Sequence, residues 1–176
     1  MTTHGGYTLA LGNNPAFYDE VVNAPWGTVW TEGQQTWIDA EQALMREKFV
    51  EGEIAQDRFH RDRAILTMRS RPVDFAKACW LRLRRFWWPL PLVPTDQPPW
   101  AVQAAAGVTA LTYALALFGI GRAMWNRAGW LDLVLAGPIA FTLVHLVYWS
   151  NARMRLPVEP CLCILAAYGV TWRLRQ

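Results

Sequence analysis

The second half of this 176-residue chain carries very little charge. Of 17 Lys plus Arg, 11 lie before residue 91 and 6 after it; of 14 Asp plus Glu, 11 lie before and 3 after. The net charge of +3 therefore comes from the apolar half, where basic residues sit at the ends of apolar runs as headgroup anchors do. It is not the footprint of a nucleic-acid-binding face, and no nucleic-acid partner is expected. Histidine and cysteine are scarce as well. His4, His60 and His145 lie far apart, and no His/Cys/Asp/Glu group has ligand spacing, so no metal site is expected. Cys79, Cys161 and Cys163 are odd in number, and Cys161 and Cys163 point in different directions on a helix, which favours core packing for all three. A Gly-rich phosphate loop, a serine-nucleophile elbow and a CxxC pair are all missing, and no cofactor is indicated. Residues 1–20 lack the basic start and long apolar core of a signal peptide.

What is present is apolar length. Residues 101–121 read AVQAAAGVTALTYALALFGIG without a charge, and at about 1.5 Å of rise per residue they cover the thickness of a bilayer core, roughly 30 Å. Residues 133–149 read LVLAGPIAFTLVHLVYW; the one ionisable group inside is His145, about one turn from the end, and Tyr148 and Trp149 close the run as an aromatic belt would. Residues 156–172, LPVEPCLCILAAYGVTW, start with two prolines and Glu159, both tolerable in a first helical turn, and end at Arg173 and Arg175. The chain thus reads as an all-α membrane protein: a soluble part over 1–95, then a membrane domain over 96–176 with three transmembrane helices.

The soluble part opens with residues rich in Gly, Asn, Pro and Thr, and residues 1–30 are expected to be mostly loop and turn. Gly12-Asn13-Asn14-Pro15 is a turn signal, because Gly and Asn accept positive φ and Pro pushes the preceding residue out of the α region. From Gln34, Trp37, Ala40 and Leu44 recur at helical spacing until Glu51-Gly52 interrupts. A second helix is predicted over Glu53 to Arg69, with Ala55, Phe59 and Leu66 on its apolar side and Asp57, Arg58, Arg61, Asp62 and Arg63 as a solvated charged face. Pro72 opens a third, which carries Phe75, Cys79, Leu83 and Trp87 on one face and Arg82, Arg84 and Arg85 near its end. Arginine among tryptophans, just before a membrane span, reads as an interfacial helix lying in the headgroup plane, against the plainer reading of an amphipathic helix packed on the two before it.

Three stretches in order give a family likeness. GGYTLALGNNPAFY resembles the GNNP loop of polytopic GT-C-type glycosyltransferases, the group of the dolichyl-phosphate-mannose-protein mannosyltransferases and the aminoarabinose transferases. A charged helical stretch around QDRFHRDRAILTMRSRPVDFAKACWLRLRRFWWP follows. RMRLPVEPCLCILAAYG then resembles the RxRxPxxPxLxxLAAxG segment that opens the last membrane helix of many such enzymes. The resemblance implies the C-terminal portion of a transferase that passes a sugar from a polyprenyl-phosphate donor to an extracytoplasmic acceptor, in a bacterial inner membrane. The family's acidic general base, in a loop near the start of its chain, has no counterpart here, so no catalytic residue is assigned and an N-terminal half is an expected partner.

Two residue groups are candidates for binding. Arg153 and Arg155, with Glu159 four residues beyond Arg155, lie between the second and third runs. Arginine stays ionised and offers bidentate donors, which suits a lipid phosphate; the alternative is a pair of snorkelling anchors. Glu159 either orients an arginine or sits as a favoured anion at a helix N-terminus. His4, Tyr7, Asn13 and Asn14 form the second group, in which Asn amides and an aromatic ring suit sugar hydroxyls and the two asparagines also suit a turn. On the family reading, 1–95 and the 151–155 turn are extracytoplasmic while Arg122 and Arg127 are cytoplasmic, so Arg153 and Arg155 break the positive-inside pattern. A small membrane-anchored scaffold or binding protein is the alternative function.

Overall fold

Charge distribution and helical period anticipate an all-helical chain, and the computed structural model has that character: no strand occurs among the described residues, which are 4–90, 92, 97–150 and 152–171. The helices are α1 (Gly5–Gly12), α2 (Pro15–Phe17) running into a π-helical turn (Tyr18–Val22), α3 (Glu32–Glu47), α4 (Glu53–Ser70), α5 (Pro72–Trp87), α6 (Pro99–Trp125), α7 (Leu131–Val147), a 3₁₀ turn (Ala152–Val158) and α8 (Glu159–Val170). The chain divides into two compact units, 1–84 with 144–150, and 85–143 with 151–176.

In the first unit, α3, α4 and the Pro72 start of α5 fall where the periodicity puts them. Gly52, at φ +83°, supplies the break between α3 and α4. The expectation of loop over residues 1–30 is overturned: α1, α2 and the π turn are helical from Gly5 to Val22. Glycine-rich α1 has no side-chain cap of its own. Instead the Asp57 carboxylate of α4 accepts from the Gly6 amide at 2.6 Å, placing an anion at the positive end of the helix. Gly6 is also where the two helices touch, since a Cβ there would run into the Asp57 carbonyl oxygen. Leu9, Ala10 and Leu11 are buried, as are Phe17, Tyr18, Trp30 and Trp37. Trp149 joins them, with its ring 5.3 Å from Phe17 and 6.0 Å from Trp30.

Two helix faces differ from the sequence reading. On α4, Ala55 and Leu66 are exposed and Phe59 is half-buried; the buried residues are His60 and Ala64. On α5 the buried line is Ala78, Arg82 and Phe86, one helical row aside from Phe75, Cys79, Leu83 and Trp87. Pattern reading passes over such a row because it requires an arginine and a histidine to face inward.

In the second unit α6 packs on α8 through small residues. Ala116, Gly119 and Ala123 of α6 are buried, opposite Leu165, Ala166 and Gly169 of α8, and a Cβ on Gly119 would run into the Leu165 carbonyl oxygen. α6 is long and apolar enough to cross a bilayer. α7 is apolar but 17 residues long and carries Pro138 inside it. The third apolar run starts as the 3₁₀ turn, and its α-helix begins only at Glu159. Cys163 is exposed, contrary to the core reading, while Cys79 and Cys161 are half-buried.

Candidate functional site

In the second unit, the turn before α8 sets the geometry. Arg155, in the 3₁₀ turn, reaches Glu159 four residues on at the start of α8, with Nε donating to Oε1 at 2.7 Å. Nη1 donates to the Phe86 and Trp88 carbonyl oxygens at 3.1 and 3.2 Å, and the guanidinium lies 5.5 Å from the Tyr113 ring centroid. Arg155 is 8% exposed, so its charge is held by a carboxylate, two carbonyls and a ring. Arg153 lies in the same 3₁₀ turn; its side chain is outside the described part.

Tyr113 also lines an apolar groove of about 430 Å³, together with Trp87, Ile120, Leu135, Pro138 and Leu162. Its wall is almost wholly hydrocarbon. Trp87 meets Tyr113 edge to face at 5.7 Å, so the Arg155–Glu159 pair and the groove share one aromatic wall. The arrangement joins a long apolar slot to a fixed cation.

In the first unit the candidate residues separate. His4 is exposed at the start of α1, where its carbonyl accepts from the Thr8 amide and hydroxyl. Asn14 caps α2: its Oδ1 accepts from the Phe17 amide at 2.8 Å while Nδ2 donates to the Ala10 and Leu11 carbonyls. Asn13, 1% exposed, donates to the Leu9 and Val147 carbonyls and accepts from the Tyr18 hydroxyl at 3.1 Å. Both amides thus face inward, in the turn-forming role.

Their neighbour is a residue that sequence reading assigned to the headgroups. Arg82 is 2% exposed and donates to the Gly12 carbonyl, to Asn13 Oδ1 at 2.9 Å, and to the Leu146 and Val147 carbonyls at 2.5 and 3.1 Å. It gathers the C-terminal carbonyls of α1 and α7, where helix dipoles favour a cation. Burial pushes the Tyr18 hydroxyl up to about 12, against the pull of Arg82, so it stays a proton donor to Asn13 at any ordinary pH.

Tyr7 faces a cavity. It lines a space of about 220 Å³ with Ile38, Met45, Glu41 and His60, its ring edge-on to His60 at 5.4 Å. Glu41 and His60 are each 5% exposed; His60 Nδ1 and Glu41 Oε2 stand 3.7 Å apart, beyond hydrogen-bond reach, and neither atom has a partner. Glu41 Oε1 is bound by Arg63 at 2.8 Å. Burial raises the Glu41 carboxyl, with Arg63 opposing, and lowers His60, with Asp57 opposing. His60 is therefore held neutral and the contact is not an ion pair. Sequence reading missed this pair because the two lie 19 residues apart on separate helices, with no ligand-like spacing. Among the described residues no group of three or more His, Cys, Asp or Glu is placed to hold a metal.

Compared with protein families, characterised proteins and solved structures, the chain matches none.

Proposed function

We propose that this chain is an integral protein of the bacterial inner membrane with three transmembrane helices near 101–121, 133–149 and 156–172. We take it to be the C-terminal portion of a GT-C-type glycosyltransferase, whose role here is to hold the lipid phosphate of a polyprenyl-phosphate sugar donor. The membrane part is supported by α6, which is apolar along its length yet exposes Val108, Leu111, Leu117 and Phe118. A soluble core helix of that composition would be covered by protein, so this uncovered apolar surface supports a lipid environment.

The donor part rests on one observation, the hydrocarbon groove that shares its Tyr113–Trp87 wall with the Arg155–Glu159 pair. A polyprenyl tail is hydrocarbon and its phosphate wants charge-assisted N–H donors, which a guanidinium such as that of Arg155 offers. Glu159 then serves as the group that fixes the guanidinium plane, and Arg153 adds a second cation at the same turn. Sugar transfer itself needs an acidic base from a partner half.

The test is binding of undecaprenyl phosphate to the purified full chain in neutral-lipid nanodiscs, followed by native mass spectrometry. Saturable binding should weaken at least about 10-fold in Arg155→Gln, the loss expected for a hydrogen bond to a charged group. Undecaprenol, which lacks the phosphate, should bind equally weakly to both proteins. Equal affinity for the alcohol and the phosphate, or no effect of Arg155→Gln, would sink the donor reading.

A further inference from the structure

We propose that the outward face of α5, extended by Trp26 from the loop before α3, docks on the headgroup layer of an anionic bilayer. The inference rests on the membrane reading above and is independent of the transferase one.

The exposed positions of α5 in the first unit are Pro72, Val73, Ala76, Lys77, Trp80 and Arg84, all apolar or basic. No other long helix of this unit has such a surface: α3 exposes Glu32, Asp39 and Glu47, and α4 exposes Glu53 and Asp62. Val73, Lys77, Trp80 and Arg84 follow at steps of four, three and four, so they share one stripe. Val73 is 67% exposed and Trp80 61%, large apolar groups left uncovered by the chain. Trp26 is brought alongside, its ring 4.0 Å from the Arg84 guanidinium carbon. An arginine stacked on an exposed tryptophan is half apolar plate and half cation, the amphipathic pairing that settles at the boundary between acyl chains and headgroups.

Charge points the same way. Asp19 and Asp74 are the nearby carboxylates, and both are bound by Arg71 at 2.6 and 2.8 Å; Asp74 also stands 3.6 Å from Lys77. These two cations and two anions cancel, and Arg84 leaves the patch with a net positive charge, Lys77 and Arg84 lying on its outer rim. Chain continuity supplies a further argument, because α6 begins only 15 residues after Arg84. A face of tryptophan and cations this close to a span matches a helix lying in the interface plane. The structure also corrects which side chains do this: Arg82 is spent internally, and the lipid-facing group is Val73, Lys77, Trp80, Arg84 and Trp26.

The experiment uses the full chain in a cysteine-free background, with a spin label at Val73→Cys and, as control, at Arg58→Cys on the exposed side of α4. Collision with an aqueous nickel chelate is read in vesicles of phosphatidylcholine alone and with added phosphatidylglycerol. The Val73 label should be protected from the chelate and reached by oxygen in the anionic vesicles. Lys77→Gln with Arg84→Gln should remove that protection while the Arg58 label stays aqueous throughout. A Val73 label as accessible as the control, in protein that resists carbonate extraction, overturns the docking and leaves the membrane reading standing. Protein released by carbonate removes both. Protection that is equal in neutral vesicles and grows with the protein-to-lipid ratio would mean that a second copy covers the face, which also overturns the proposal.

Discussion

Arg82 is the residue on which the first unit closes. Four acceptors converge on one guanidinium, three of them carbonyls at the ends of α1 and α7. Arg82→Met keeps the apolar stem and removes the guanidinium donors to the Gly12 and Leu146 carbonyls, while the Val147 carbonyl keeps Asn13 Nδ2. It should cost about 3–5 kcal/mol, the loss typical of breaking a buried charged network, read as a large fall in thermal unfolding midpoint in detergent. Lysine should recover only part of this, because one ammonium cannot fork to both helix ends. Asn14→Ala should cost about 1–2 kcal/mol by the same measurement, since it loses a helix cap and two carbonyl contacts together. Of these two residues the sequence announced one. Asn before Pro marks a turn by local sterics alone, whereas Arg82 sits in a basic, tryptophan-rich stretch whose composition belongs to a surface. Nothing local could show that its partners lie about 70 residues away on either side.

His60 makes a pH prediction at the same scale. Its folded pKa is lowered by burial, so the unfolded state binds the proton more readily and stability falls as pH drops below the ordinary histidine value of about 6.5. Glu41 has the opposite sign: its raised pKa means that stability present below the ordinary carboxyl range is lost as pH rises through the folded value. In the window just below 6.5 the histidine acts alone if Glu41 has already ionised, with Arg63 holding its other oxygen. His60→Gln should therefore flatten the decline in unfolding midpoint across that window. A decline of the same slope in the variant would show that another group carries it.

At the scale of elements, α6 and α8 are joined by the absence of side chains. Gly119 and Gly169 let the two backbones approach until a Cβ on Gly119 would run into the Leu165 carbonyl and one on Gly169 would lie 2.9 Å from the Leu115 carbonyl. Small residues at such a crossing are the means by which apolar helices associate where lipid removes the hydrophobic drive. Gly119→Leu must push the helices apart and should destabilise the unit by several kcal/mol, about 1–3 from overpacking alone and more because backbone is the obstacle. Gly107→Leu, with open space around it, should be nearly neutral and serves as the control. Amide exchange on α8 should rise in the first variant and stay unchanged in the second. The helices themselves were legible wherever period or composition was strong, as in α3, α4, α5 and α6. α1 was not, because a glycine-rich, eight-residue segment is too short to be stable by propensity and gets its cap from Asp57, 51 residues on. Faces were less legible than spans: the sequence reading put Arg82 at the headgroups and left His60 off the inner face of its helix, and both are buried.

For the molecule as a whole, the proposed membrane reading makes a prediction about topology. α6 spans about 40 Å by helical rise, enough with some tilt; α7 covers about 25 Å and α8 about 18 Å, so each needs flanking residues or local thinning to match a core of roughly 30 Å. Length alone therefore argues for one crossing, and composition argues for three. The proposal of three crossings rests on exposed apolar surface: α7 leaves Leu133, Ile139, Leu143 and Val144 uncovered, a surface that water would penalise by roughly 25 cal/mol for each Å². Three crossings place residues 126–130 and 150–155 on opposite sides, while a single crossing by α6 leaves both on the same side. Reporter fusions after Ala128 and after Ser150, read with a pair of reporters active on opposite sides of the membrane, separate the two. We expect the Ala128 fusion to report the cytoplasm and the Ser150 fusion the exterior, which puts Arg155 and Glu159 on the side where a polyprenyl-linked sugar is consumed. A cytoplasmic Ser150 fusion would reduce the membrane part to α6. It would also leave Arg155 on the wrong side for the donor, so the transferase reading would fall with the topology.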